Sequence, residues 1–569
     1  PTKRLRSGKT YVASVKNKSF YSESLASYES RKIESHPTLV KGKVYDVSKI
    51  NIPNSLKEAL ASPYAKEWQK AIEIENATLK EHGTFTVINT PNDCHRLGTR
   101  YVFAVKNDKD GNITRFKARL VVKGYNQLGG GIEYDDTYAP VSNISTVLML
   151  ITYAVKNDFY LHLLDFQGAF LHSEMPSEFS VYIDTPHGMS IPPNNVVKLA
   201  KSLYGTKNAG HLWFEDLRKT LLQLGFKQSV HDPCLFIRHG KDGCMMLTTF
   251  VDDVIIIQNN GQALFDLVEI LKKKGFKISS LEALEWYLGL RINIDKKTKT
   301  VSVDQGVYIE DMLNQYGYGD CNTLSTPMDT GDLPTKEDQP EAIIKEIITP
   351  FRSLLGKLSH LARFTRPDIK FAVFYLARYQ AKPGEKHMKA LKRILRYLKG
   401  TINVGLKLGT TNVPLVVYCD SDHAGCRDTR RSTSGYVCFV YGGAILTRST
   451  QQKSVALSST EAEVLALAIC VKDVLWLRNL LEEFKVKIGK TTVYEDNQGA
   501  IYITNNSAMS RRAKHIATSY SFIREKVRKN LLKIEYVESK LNIADIFTKG
   551  LNKPVFERLA KILQGGLVV

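Results

Sequence analysis

The stretch LTTFVDDVIIIQN, residues 247–259, sets two adjacent aspartates, Asp252 and Asp253, inside a run that is otherwise apolar and β-branched. Such a run reads as a buried strand. An ionised carboxylate buried without a partner is very costly, so a pair of them must be protonated, hydrogen-bonded, ion-paired or bound to a cation. The placement between FV and VIII predicts the tip of a hairpin, where chain reversal lets both side chains project into one region. A bland alternative exists, because Asp is also a common turn residue.

A third carboxylate weighs against that alternative. In YLHLLDFQGAFLH, Asp165 ends another apolar strand and is followed by Gly168 and Phe170. If the two strands are neighbours, three carboxylates converge and can hold two Mg²⁺ ions about 3.5–4 Å apart, the arrangement used for in-line phosphoryl transfer. One ion would lower the pKa of an attacking 3′-hydroxyl and the other would stabilise a pyrophosphate leaving group. Mn²⁺ is the alternative, since carboxylate sites accept both.

A second acidic set lies past residue 415. Asp420 ends the strand LVVYCDS, Glu463 sits on the helix of SSTEAEVLALAICVKDVLWLRNLL, Asp496 ends the strand TTVYEDN, and Asp545 opens the predicted helix NIADIFTKGL. Each has a structural alternative to weigh. Ser458 and Glu461 form a capping box, and Thr460 with Glu463 has the same spacing. Asp545, three residues after Asn542, would also complement a helix N-terminus. Asp422 is expected to be solvated rather than ligating.

Charge points the same way. Lys and Arg number 79 against 58 Asp and Glu, a net +21, which favours a polyanionic partner through counterion release. A chain of 569 residues allows roughly three or four units of about 150 residues each. The eight cysteines form no CxxC pair and read as reduced thiols of a cytosolic protein. No apolar run approaches the roughly 18 residues a membrane span needs, so no membrane partner is expected. The chain opens on Pro1 rather than Met, as a piece cut from a longer precursor would.

Patterning divides the chain. Residues 1–50 are basic, without sustained apolar periodicity, and are expected to be largely unstructured. Helical spacing then places Leu56, Ala59, Trp68, Ala71, Ile72 and Leu79 on one face, followed by a basic hairpin, RYVFAVK and TRFKARLVVKG around the turn NDKDGN. Strands and helices alternate from 145 to 300, helical patterns dominate 347–399, and a fresh α/β pattern starts at PLVVYCDSD.

The ordered segments RFKARLVVKGYNQ, GIEYDDTYAPVS, LDFQGAFLH, KSLYGTKNAGHLWFEDL, FVDDVII and YLGLRI resemble the reverse transcriptase of copia-type LTR retrotransposons, with the likeness running over roughly residues 55–550. The resemblance implies an α/β and α+β multidomain chain: a right-hand polymerase with fingers, palm and thumb, then a connection and a ribonuclease H-like α/β domain. Its boundaries would be 1–50 for a basic lead-in, the tail of a preceding integrase; 51–295 for fingers and palm; 296–412 for a largely helical thumb and connection; and 413–569 for ribonuclease H.

The resemblance further implies that Asp165, Asp252 and Asp253 bind metal for polymerisation, and that Asp420, Glu463, Asp496 and Asp545 do so for hydrolysis of the RNA strand of a hybrid, with two Mg²⁺ per site. Phe170 would stand against the ribose 2′-hydroxyl, and Lys117 and Arg119 would grip the triphosphate. Gly205 and Lys207 would lie beside nucleotide and template, though Thr206 and Ala209-Gly210 depart from the family pattern. Tyr287, Leu288, Gly289 and Leu290 would form the turn at the primer terminus. The partners implied are an RNA template, a DNA primer or product, RNA–DNA hybrid, dNTPs and a tRNA-type primer. The location implied is cytoplasmic, in a virus-like particle, or nuclear with the DNA product. His515 in RRAKHIATSY belongs to the pattern without an assigned catalytic role. Two rivals stand beside this reading: an inactive or domesticated nucleic-acid binder, and a strand-transfer integrase, against which the absence of an HHCC pattern counts.

Overall fold

Period and punctuation shape the N-terminal part. A computed structural model describes residues 51–107, 113–241, 243–505 and 517–567, with the strand pair Lys3–Arg4 and Thr10–Tyr11. The rest of the lead-in, most of NDKDGN, and His515 lie outside the described residues. The first apolar face forms two helices rather than one: α1 (Leu56–Ala61), capped by the Ser55 side chain, and α2 (Ala65–Glu81). The break falls at Ser62, which precedes Pro63 and is therefore biased away from helix. The basic hairpin forms as expected from β1 (Thr99–Asn107) and β2 (Ile113–Val122), with Lys117 opposite Ala104 and Arg119 opposite Val102. Period-2 alternation buries Phe116, Ala118 and Leu120 and leaves Lys117 and Arg119 half-buried on the other face. Trp68 of α2 meets Phe103 and Phe116 edge-on at 5.1 and 4.7 Å.

After α3 (Ile144–Lys156) comes a six-stranded antiparallel sheet. Its strands are β3 (Tyr160–Phe166), β4 (Lys227–Gln228), β5 (Leu235–Gly240), β6 (Gly243–Phe250), β7 (Asp253–Gln258) and β8 (Ile278–Ala283), in the order β4-β5-β6-β7-β3-β8. The run VIII is apolar throughout because both faces of this sheet are covered. Val254 and Ile256 pack towards α4 (Ala209–Gln223) and α5 (Gly261–Lys273), while Ile255 and Ile257 join the core that contains α3.

A smaller sheet follows, in the order β9 (Trp286–Tyr287), β10 (Leu290–Asp295), β11 (Thr300–Asp304) and β12 (Leu406–Leu408). The boundary expected at 295/296 therefore falls in the turn of the β10–β11 hairpin. Between β11 and β12 lie α6 (Lys345–Phe364), α7 (Lys370–Ala377) and α8 (Glu385–Lys399), the helical region read from the sequence.

The last sheet has the order β15-β14-β13-β16-β17, built from β13 (Val416–Ser421), β14 (Thr433–Val440), β15 (Gly443–Gln451), β16 (Thr491–Glu495) and β17 (Leu532–Tyr536). Its first three strands are antiparallel, and β16 and β17 add in parallel. α9 (Ser459–Glu483) packs on it, and the chain closes with α11 (Lys553–Gly565) after α10 (Ala517–Arg528). One buried core runs from α3 through α6–α8 into this sheet, and Ser145 Oγ donates to Ile445 O across it at 2.9 Å. All eight cysteines are unpaired, and no helix of the described residues is long and apolar enough to cross a membrane.

Candidate active sites

The first acidic site is a hairpin turn held by backbone. Phe250 pairs with Asp253, leaving Val251 and Asp252 as the two turn residues, and Val251 takes φ 57. A β-branched residue there is strained, and such strain persists only when the surroundings over-determine it. They do: Trp213 Nε1 donates to Val251 O at 2.6 Å, and Phe166 N donates to Asp252 O at 3.1 Å. The next strand over is β3, with Asp165 directly opposite Asp253. The Ser279 hydroxyl from β8 donates to the Asp165 carboxylate and lies 3.1 Å from its carbonyl oxygen. All three aspartates are half-buried.

A stack of rings and a cation stands beside this pair. Phe170 meets Tyr204 edge-on at 5.4 Å, and the Arg119 guanidinium lies 4.9 Å from the Tyr204 ring centre. Burial pushes the Tyr204 hydroxyl up to about 12; Arg119 opposes the shift, and Glu75, Asp252 and Asp165 add to it. The basic hairpin and the acidic turn are thus within electrostatic reach of one tyrosine. Gly205 has φ 91, and a Cβ there would lie 2.2 Å from Val122 O, so only glycine lets this loop lie against β2. Lys207 Nζ is 3.0 Å from the Tyr134 hydroxyl, and its N–H donates to Gln127 Oε1 at 2.7 Å. Leu288 and Gly289, with φ 49 and 78, make the two-residue turn between β9 and β10. Burial raises the hydroxyl of the adjoining Tyr287, and the Asp253 charge raises it further, so this turn also borders the aspartates.

The second site is buried. Two trios, Asp420–Asp496–Asp545 and Glu463–Glu495–Asp496, each bring carboxylate oxygens within 4.8 Å of one another, with Asp496 in both; among the described residues they are the trios that do so. Asp420 ends β13 and accepts from the Thr548 hydroxyl. Glu463 lies just past the first turn of α9. There Glu461 does the capping, its N–H donating to Ser458 Oγ at 3.2 Å and its carboxylate accepting from Leu457 N at 2.8 Å. Thr460 turns instead to Asn497 Oδ1 at 3.3 Å, so Glu463 is not the partner of a capping box.

Three expectations need correction. Asp545 lies in a 3₁₀ turn, Ile543–Phe547, and the α-helix starts only at Lys553. Asn542 caps that turn and ties it down, its side chain accepting from Ala544 N and donating to Cys419 O. Asp422 is not simply solvated: it is half-buried, accepts from Thr433 N, and is pushed by burial up to about 6.

The third correction is an omission, Glu495. Thr491, Val493 and Glu495 share the buried face of β16, which sends the glutamate to the same side as Val493, and it is 0% exposed. Its Oε1 accepts from Asn497 N at 3.1 Å, whereas Oε2 has no partner, and neither does Glu463 Oε2. Burial raises both glutamates well above the carboxylate range, with neighbouring negative charge adding to the shift. Asp420 rises to about 7 by burial, opposed by Lys549, another residue no sequence signal singled out. Unpartnered buried carboxylate oxygens facing one another fit a divalent cation, which offsets their charge and takes oxygen ligands.

Residues 82–330 match the family described as reverse transcriptase (RNA-dependent DNA polymerase). The chain is 34% identical over 520 residues to the retrovirus-related Pol polyprotein from transposon TNT 1-94 of Nicotiana tabacum, covering 90% of this chain and 39% of that one. It is 35% identical over 507 residues to the corresponding polyprotein from transposon RE1 of Arabidopsis thaliana, covering 87% and 33%. The chain therefore spans well under half the length of these relatives. A solved structure of the foamy viral protease-reverse transcriptase dRH in complex with ds DNA aligns over 83% of this chain and 70% of that one, at 12% identity and a TM-score of 0.24.

Proposed function

The chain belongs to the reverse transcriptase and ribonuclease H family of copia-type retrotransposon polyproteins, and from that premise we propose that it copies RNA and DNA templates into DNA at the first carboxylate site and cleaves the RNA strand of RNA–DNA hybrids at the second. The observation that carries this reading is the register of Asp165 against Asp253 at a clamped turn, with a separate carboxylate cluster on another sheet. In this reading the basic hairpin and the six-stranded sheet are fingers and palm (51–295), residues 296–412 are thumb and connection, and 413–569 are the ribonuclease H domain.

Divalent cations, Mg²⁺ with Mn²⁺ as the alternative, supply Lewis-acid charge at the reacting phosphate when bound. Asp165, Asp252 and Asp253 would hold them in one site; Asp420, Glu463, Asp496 and Asp545 would do so in the other, joined by Glu495. The protein's own groups do the rest. Arg119 and Lys117, on one face of β2, offer a fork and a point charge to a dNTP triphosphate. Phe170, backed by Tyr204, would crowd a 2′-hydroxyl and so favour dNTPs. Gly205 and Lys207 would border nucleotide and template, and the Leu288–Gly289 turn would seat the primer terminus. Lys389 and Lys392 on α8 are exposed, with Arg393 and Arg396 half-buried beside them, a surface suited to duplex phosphates.

The test is a pair of double substitutions in the full chain. Asp252→Asn with Asp253→Asn is expected to abolish primer extension and spare hybrid cleavage; Asp420→Asn with Asp496→Asn is expected to do the reverse. Loss of both activities together in folded protein would refute two independent sites. A parent chain with neither activity would instead be a nucleic-acid binder.

A further inference from the structure

Lys549 occupies ground that a cation would otherwise take. Its Nζ lies 2.9 Å from Asp545 Oδ1 and 3.9 Å from Asp420 Oδ2. Its neighbour Thr548 donates to that same Asp420 oxygen. Among the described residues no other lysine or arginine pairs with Asp420, Glu463, Glu495, Asp496 or Asp545, so the one ammonium at the cluster is that of Lys549, in reach of Asp420 and Asp545. The lysine side chain is 45% exposed while Asp420 is almost fully enclosed, so the ammonium enters from the solvent side and has somewhere to go.

An ammonium and a divalent cation cannot both sit against the same carboxylate oxygens, because like charges at that separation repel. We infer that Lys549 is a tethered counter-ion which a divalent cation must displace from Asp420 and Asp545, and which, once displaced, pairs with a phosphodiester of the bound nucleic acid. The second clause rests on the hybrid-cleaving reading above. Lysine suits this exchange: it is a compact charge on a flexible stem, with donors that swap one anion for another. Linkage then requires reciprocity, since nucleic acid that draws the ammonium away tightens cation binding, and cation binding frees the ammonium for nucleic acid. The consequence is that the cluster loads cations weakly when idle and more tightly on its substrate.

The experiment measures Mn²⁺ binding by calorimetry on full-length protein carrying Asp252→Asn and Asp253→Asn, so that the second site dominates the signal. Titrations are run alone and with a hybrid whose RNA strand is 2′-O-methylated against cleavage. Lys549→Met is expected to tighten Mn²⁺ binding without hybrid by about fivefold, the size of a partly exposed ion pair, and to abolish the further tightening that hybrid produces in the parent. Lys549→Arg is expected to keep weak binding. Lys549→Gln serves if the methionine variant misfolds, with circular dichroism as the check on both. Unchanged or weaker Mn²⁺ binding in folded Lys549→Met or Lys549→Gln overturns the inference. Adding Asp420→Asn and Asp496→Asn separates the two readings: Mn²⁺ binding that survives this change sinks the second cation site itself, whereas its loss, with Lys549 variants unaltered, sinks only the counter-ion.

Discussion

The carboxylates of the six-stranded sheet are half-buried and placed by backbone, through the Val251–Asp252 turn, the Asp165–Asp253 register and hydrogen bonds from Trp213 and Phe166. Those of the last sheet are placed by side chains packed in the interior: Asp420 is 3% exposed, Glu463 5% and Glu495 0%. The difference is one of dielectric surroundings. The first group is half-exposed and a serine hydroxyl donates to Asp165, so its charges are tolerable and its geometry comes from the clamped turn. The second group is enclosed apart from half-buried Asp496, so its geometry comes with the fold and its charge must be offset, by Lys549 and by cations.

The sharpest way to break that contrast is the double-substitution pair. Each member is expected to lower its own activity by on the order of a thousandfold, as removal of several kcal/mol of charge stabilisation implies, and to leave the other within about twofold. A cross-effect would show that the two groups are one system. Next in size is Glu495→Gln, which removes the cost of burying that carboxyl, whether ionised or protonated, without changing shape. Cation-free protein should melt about 2 °C or more higher, and its Mn²⁺ binding should weaken. No rise in the calorimetric midpoint would mean that burying Glu495 costs the fold nothing.

The contribution of the buried carboxyls to the pH dependence has a definite sign. Burial raises Asp420 to about 7 and Asp422 to about 6, both above their unfolded values near about 4. A raised carboxyl contributes stability that is complete below the unfolded value and is lost as pH rises through the folded one. Burial lowers His82 and His162 to about 4, and they act in the opposite sense between about pH 5 and 6.5, so the carboxylate contribution is read against a variant. By differential scanning calorimetry, cation-free parent protein should lose its melting advantage over, or fall further below, Asp420→Asn as pH rises from 5 to 8, and saturating Mg²⁺ should shrink that change. A parent-minus-variant midpoint that climbs with pH over this interval would contradict the burial argument.

What was legible in the sequence follows from how far each signal reaches. Asp165, Asp252 and Asp253 stood out because each interrupts an apolar strand, and the structure sets two of them in register. Asp420, Glu463, Asp496 and Asp545 were legible by their order on strand ends and helix, and the last sheet brings them together. Glu495 carries no signal that sets it above its neighbour Asp496, although alternation along TTVYE puts it with Thr491 and Val493. Lys549 follows Asp545 by four residues, a spacing that pairs charges on a helix, but its approach to Asp420 depends on the 3₁₀ turn tied to Cys419 O by Asn542 and carries no local signal. The β11–β12 pairing joins Thr300–Asp304 to a three-residue strand about a hundred positions on, too short to carry any period. Helix α1 separated from α2 where Ser62 meets Pro63, a punctuation mark that apolar spacing alone passes over.

The smallest expected effect probes the backbone side of the contrast. Val251 adopts φ 57, a conformation that β-branched residues reach only under constraint, and its carbonyl is the acceptor for Trp213. Val251→Gly relieves that strain but frees the unfolded chain, and it also removes the part of the valine side chain packed on the core beneath. These terms oppose one another, so the net change in stability should stay within about 1 kcal/mol. Primer extension should nonetheless slow by about tenfold, because an unconstrained turn no longer holds Asp252 to one position and small misplacements are costly to rate. Hybrid cleavage should be unaltered, since Val251 packs with the six-stranded sheet and its helices and its carbonyl is held by Trp213, all away from the second cluster. Equal loss of both activities, or none of either, would show that the turn's geometry is not what orders the first site.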